Sequence, residues 1–180
     1  MRIILTVIFL IISSCVNAGK IDMEIKPQQG YYIFDKTSFI RNKIKYDLFI
    51  LEKNINKHAS AHYDLIVILR YKNNTLINKE LFFEYDDNCP ADGYGGIYIH
   101  NKKIKLKQIF CQDFFFVNST VTFSPDKNGD LILDSYTEQY TDRSNPNKKI
   151  PIKKWTKKQF GLINFIEVKR ELFLKLNGLR

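Results

Sequence analysis

The stretch DFFFVNSTVTFS–PDKNGD–LILDSYTEQY, residues 113–140, decides the fold. Two runs rich in β-branched and aromatic residues flank a short run of turn residues. Branched and ring side chains suit a pleated, half-buried surface, and Asp, Asn and Gly allow a tight reversal, so the stretch predicts a β-hairpin. Asp126-Lys127-Asn128-Gly129-Asp130 has a faint resemblance to a calcium loop, but that chemistry needs a longer loop with a closing Glu. A hairpin turn is the better reading.

Working outward, Ile104 to Phe110 (IKLKQIF) alternates apolar with basic or polar residues, which marks a strand with one wet face. Ile97 to His100 precedes it across Asn101-Lys102-Lys103. Further back, Tyr63 to Tyr71 (YDLIVILRY) and Leu76 to Tyr85 (LINKELFFEY) form a second hairpin around Lys72-Asn73-Asn74-Thr75, and Lys45 to Leu51 (KYDLFIL) is another strand. Successive hairpins predict an antiparallel meander. Toward the C-terminus the period changes. Phe165, Val168, Leu172 and Leu176 fall three or four apart, the spacing of an amphipathic helix, stopped by Asn177-Gly178. Residues 141–160, with Pro146, Pro151 and many lysines, read as an ordered surface loop. The expected fold is mostly β, of α+β class: one antiparallel meander, sandwich-like or curled, with the C-terminal amphipathic helix across its apolar face. No linker divides residues 19–180, so they are expected to form a single β-rich domain.

The N-terminus predicts export. Arg2 supplies a positive start, Ile3 to Ile12 is an apolar run broken only by Thr6, and small residues follow, as in a cleavable signal peptide over residues 1–18. The run is too short to cross a bilayer, which needs about 20 apolar residues. Val16-Asn17-Ala18 suits cleavage before Gly19. Ile12-Ser13-Ser14-Cys15 offers the alternative of lipidation at Cys15, which makes the protein a lipoprotein. The mature chain is then periplasmic or secreted, with no transmembrane segment, and retains Cys89 and Cys111. An even pair in an oxidising compartment predicts a disulfide, worth roughly 3 kcal/mol by loop closure.

The whole chain is basic, with 28 Lys and Arg against 19 Asp and Glu and a formal net charge of +9. His58 and His62 stand four apart, the spacing at which a helix presents two metal ligands on one face. Their flanks are loop and strand, where the rings would lie about 13 Å apart. No metal and no cofactor is expected. His58, His62 and His100 are the candidate bases of the common type, and no nucleophile elbow, P-loop or dinucleotide fingerprint accompanies them. Asp86-Asp87 says nothing about a carboxylate separation fit for glycoside hydrolysis. The chain is therefore expected not to be an enzyme. The Asn73 and Asn118 sequons read as incidental.

The densest charge is around the single Trp: Lys148, Lys149, Lys153, Lys154, Trp155, Lys157 and Lys158. An amphipathic ring amid lysines suits an anionic surface, while the plainer alternative is a solvated loop with Trp155 tucked into the core. No recognition motif points to nucleic acid. Tyr140-Thr141-Asp142-Arg143-Ser144-Asn145-Pro146, followed by Trp155-Thr156-Lys157-Lys158-Gln159-Phe160-Gly161 and a closing helix, resembles the C-terminal half of small uncharacterised exported proteins of Gram-negative bacteria. That resemblance implies export and β-richness, and it carries over no site residue. The leading functional expectation is a non-enzymatic envelope protein that binds a macromolecular partner, inhibitor- or immunity-like. The second is an accessory protein held to anionic lipid or glycan through the Trp155 loop, and a hydrolase is third.

Overall fold

The computed structural model describes residues 29–53, 64–83, 88–90 and 93–178. Strands β1 (Tyr31–Arg41), β2 (Ile44–Lys53), β3 (Ile66–Tyr71) and β4 (Asn74–Asn78) form one sheet in that order. Strands β5 (Gly93–His100), β6 (Lys103–Gln112), β7 (Phe115–Pro125), β8 (Leu131–Asp142) and β9 (Lys153–Thr156) form the other. Each sheet is an antiparallel meander. The fold is mostly β, as expected, and among the described residues the short helices lie in the C-terminal part. The meander is split into two sheets, however. One long meander would leave its apolar face open to water, and the break between Asn78 and Gly93 lets two apolar faces cover each other.

Sequence patterns pick out no strand at Tyr31–Arg41, yet β1 pairs along most of β2. A register shift between Ile33 and Asp35 interrupts its alternation, and its turn, Asn42-Lys43, has no glycine. Both turn residues nevertheless have positive φ, 51° and 63°. The same holds at Lys72-Asn73 (48° and 62°) and Asn101-Lys102 (50° and 57°). Two left-handed residues give a turn whose twist matches that of the flanking strands. Asn tolerates this conformation better than most residues do.

The inner faces meet in one core. Tyr46, Leu48, Ile50, Val67 and Leu69 of the first sheet pack with Ile104, Leu106, Val121, Phe123, Leu133 and Tyr136 of the second. Along one side β1 lies by β5, where Tyr94 donates from its hydroxyl to Asp35 Oδ2 at 2.9 Å. At one end the β7–β8 turn crosses the first sheet, and Tyr46 donates to the Gly129 carbonyl at 2.8 Å. Asp126 closes that turn by accepting from the backbone of Asn128 and Asp130, both at 2.8 Å, so it is a hairpin turn as read from the sequence. Gly129 has φ +82°, and a Cβ there would come within 2.5 Å of Ile44 Cδ1.

The C-terminal segment covers the other side, but not as the continuous helix expected from its spacing. A 3-10 turn at Phe165–Glu167 is followed by extended Val168 and Lys169, and only then by helix α2 (Arg170–Leu176). The interruption has a cause in β4. The Asn78 side-chain amide donates to the carbonyls of Phe165 (2.7 Å) and Val168 (2.8 Å), and the Arg170 N–H donates to the Glu80 carbonyl (2.8 Å). These backbone groups are satisfied by the strand end, leaving no need for helical partners. Phe165, Val168 and Phe173 complete the core. The stretch expected to be loop, residues 141–160, contains β9 and a single helical turn, α1 (Lys157–Phe160), closed by a Thr156–Gln159 capping box. Cys89 and Cys111 form a disulfide that ties the connection between the sheets to β6.

Candidate functional site

The second sheet has a chemically distinct outer face. Because Ile104 and Leu106 point into the core, Lys103, Lys105 and Lys107 point out, spaced about 7 Å apart along β6 by the strand rise. Thr120 and Thr122 lie beside them on β7, and Thr137 and Lys154 follow on β8 and β9, directly opposite each other. A bulge adds to this face. Thr122 pairs with Ser135 but Phe123 pairs with Leu133, so Asp134 is the extra residue. Leu133 and Tyr136 both reach the core, which leaves Asp134 and Ser135 together on the outer side. With Tyr98, His100 and Asn101 these side chains line a groove of about 410 Å³.

The groove has an unbalanced charge. Its acidic residue, Asp134, is engaged by Lys103 at 2.8 Å and by Lys157 at 3.9 Å. Lys107 sits over the Tyr98 ring, 5.0 Å from its centroid. Among the described residues no carboxylate lies within ion-pair distance of Lys105, Lys107 or Lys154. A second cleft of similar size lies by the β1–β2 and β3–β4 turns. There Lys45 is neutralised by Asp47 (2.9 Å) and Lys72 by Asp130 (3.3 Å).

The seven residues singled out around the Trp do not share one surface. Lys154 and Lys157 belong to the groove side. Trp155 is half-buried and stacks on Tyr136, with centroids 5.5 Å apart. Lys148 reaches Asp142 at 3.4 Å, while Lys149 and Lys158 are exposed. Lys153, opposite Glu138 in the β8–β9 register, turns toward the end of α2. His58, His62, Cys15 and the signal segment lie outside the described residues. The residues that sequence reasoning missed are Lys103, Lys105 and Lys107. Their signal was the two-residue alternation of β6, which lysine density elsewhere outweighed.

A polar cluster lies on the inner side of β8. Glu138 is 1% exposed. It accepts from the Tyr136 hydroxyl at 2.6 Å on Oε1, and from the Tyr140 hydroxyl and the Asn177 amide on Oε2, also at 2.6 Å each. Burial, and then the neighbouring Glu138 carboxylate, push both phenols above the ordinary tyrosine range. A buried carboxylate with three donors is satisfied without a counter-ion in contact.

Among the described residues no three His, Cys, Asp or Glu side chains cluster as metal ligands, and no helix is long and apolar enough to cross a membrane. The fold and groove together define a two-sheet antiparallel β-protein with a cationic, hydroxyl-lined outer face. Comparison with known protein families, curated proteins and solved structures finds no match.

Proposed function

We propose that this is a non-enzymatic, exported binding protein that holds an acidic glycan of the cell envelope along the outer face of its second sheet. The observation that carries the reading is the set of Lys105, Lys107 and Lys154, with no carboxylate of the described residues in contact, among the hydroxyls of Tyr98, Thr120, Thr122, Ser135 and Thr137. Two lysines about 7 Å apart along β6 and a third across the face on β9 offer repeated positive charge to a polyanion, and hydroxyls supply the donors and acceptors that sugar hydroxyls need. Export is the expectation drawn from residues 1–18, and it places the protein where such glycans occur.

Binding to an immobilised polyuronate tests the proposal. Exposed pairs contribute about 0.2–1 kcal/mol each, so changing Lys105, Lys107 and Lys154 together to Gln should weaken binding roughly tenfold. Affinity should also fall with added salt, because exposed charges are screened beyond about 8 Å at physiological ionic strength. Unchanged affinity in the triple variant, or binding indifferent to salt, overturns the reading. Binding to phosphatidylglycerol vesicles but not to polyuronate assigns the face to lipid instead. A protein partner is the second reading, favoured by Leu162 and Ile166, which are exposed to 71% and 51% on the C-terminal segment.

A further inference from the structure

The polar cluster on β8 sets a carboxamide between an amine and a buried carboxylate, touching both. Lys153 Nζ donates to Asn177 Oδ1 at 2.7 Å. Asn177 Nδ2 donates to Glu138 Oε2 at 2.6 Å and touches the Tyr140 hydroxyl at 2.5 Å. The Tyr140 hydroxyl also lies between the amine, at 3.3 Å, and Glu138 Oε2, at 2.6 Å. The Lys153 ammonium sits over the Tyr140 ring, 4.5 Å from its centroid, and Tyr136, Trp155 and Phe173 stack alongside. A structural hydrogen-bond network needs only the donors and acceptors. This one also has the parts of an acyl transfer: nucleophile, carbonyl carbon, leaving nitrogen and a carboxylate able to move a proton between the two nitrogens.

We propose that Lys153 and Asn177 become joined by an intramolecular amide bond that the folded protein forms itself, with Glu138 as the proton-transferring group and Tyr140 as the relay. The Lys153 ammonium first releases one proton to solvent. The free amine attacks Asn177 Cγ, forming the N–C bond, and one of its remaining protons passes through the Tyr140 hydroxyl to Glu138 Oε2. Glu138 returns that proton to Nδ2, the Cγ–Nδ2 bond breaks, and ammonia leaves. Overall, a lysine ammonium and a primary carboxamide become a secondary amide and an ammonium ion, with no oxidant, metal or co-reactant. Primary amides resist amines in free solution, but well-oriented intramolecular groups reach effective molarities on the order of 10⁵–10⁸ M. Glu138, almost free of solvent, supplies the proton transfer at the same place.

The bond would staple β9, the edge strand of the second sheet, to the C-terminal end of α2. Edge strands and chain ends are where a fold frays first. With the Cys89–Cys111 disulfide it makes a second covalent link within the domain.

The test is the intact mass of the purified wild-type protein after reduction of the disulfide, followed by peptide mapping. The expected result is a chain lighter by one ammonia and a branched peptide joining Lys153 to Asn177. Asn177-Gly178 offers a competing reaction, because attack by the Gly178 backbone nitrogen gives a succinimide with the same mass loss. Lys153→Arg separates the two: it keeps the charge and contacts but should restore the full mass, as should Glu138→Gln. Full mass in the wild type, with linear peptides containing Lys153 and Asn177, overturns the proposal. So does an ammonia loss that persists in Lys153→Arg. The wild-type measurement stands even if a variant fails to fold.

Discussion

On the outer face of the first sheet, Leu51, Ile66 and Ile68 are buried among Tyr31, Ile33 and Phe49. The outer face of the second sheet carries Lys105, Lys107, Thr120, Thr137 and Lys154 instead. The two sheets share one core and one pairing scheme, so the difference comes from strand periodicity. β2 and β3 are apolar on consecutive positions and therefore demand cover on both sides, whereas β6 alternates and leaves one side for water. The second sheet's outer face is thus polar along β6, whereas the first sheet's is apolar around Leu51, Ile66 and Ile68 and turns polar around Lys45, Asp47, Arg70 and Thr75, where its charges are paired.

The sharpest way to break this contrast is to truncate one residue on each outer face. Leu51→Ala should cost about 2–5 kcal/mol, the usual range for emptying a buried Leu site. Thr137→Ala should stay within about 0.5 kcal/mol, as for other surface changes. Chemical denaturation measures both, and similar small losses would show that the first sheet's outer face is not a second core.

The disulfide sits where the chain passes from one sheet to the other, so its loss should be felt by both. Cys89→Ser is expected to lower stability by about 3 kcal/mol, read as an earlier denaturation midpoint. In the untreated denatured protein neither cysteine should take up an alkylating reagent, and two labelled cysteines would refute the bridge.

Alkaline titration probes the inner faces that the sheets share. Burial raises the phenols of Tyr46, Tyr71, Tyr94, Tyr136 and Tyr140, and the hydrogen bond to Glu52 pushes Tyr32 up to about 12. A raised phenol keeps its proton more tightly when folded. The stability it lends is therefore complete below about pH 10, the unfolded value, and is lost as pH climbs toward the folded value. Phenolate absorbance should rise in two stages, the second coincident with unfolding. A single stage near pH 10 with the fold intact would place these rings in water.

The smallest expected effect is on the groove. Changing Lys105, Lys107 and Lys154 to Gln should leave stability within about 0.5 kcal/mol of wild type while weakening anion binding, because no carboxylate among the described residues loses a partner. Appreciable destabilisation would mean that these lysines hold the sheet together.

The sequence by itself determined the strand-rich class, the β7–β8 hairpin, the wet face of β6 and the pairing of the two cysteines. Each of these follows from local pattern: side-chain period along a strand, turn residues at a reversal, or the two cysteines left once the expected signal segment is set aside. It left β1 unseen, because a bulge and a glycine-free turn hide its alternation. It also read residues 165–176 as one helix, since their spacing alone does not reveal that Asn78, nearly ninety positions away, takes the carbonyls the helix would have used. The site followed the same division. The lysines of β6 were legible as a stripe, but their union with Lys154 and the inward turn of Lys153 and Trp155 depend on β9 pairing with β8. The meeting of Lys153, Glu138 and Asn177 depends further on where α2 ends. Only the tertiary structure decided these, because they are contacts between segments whose local patterns carry no information about one another.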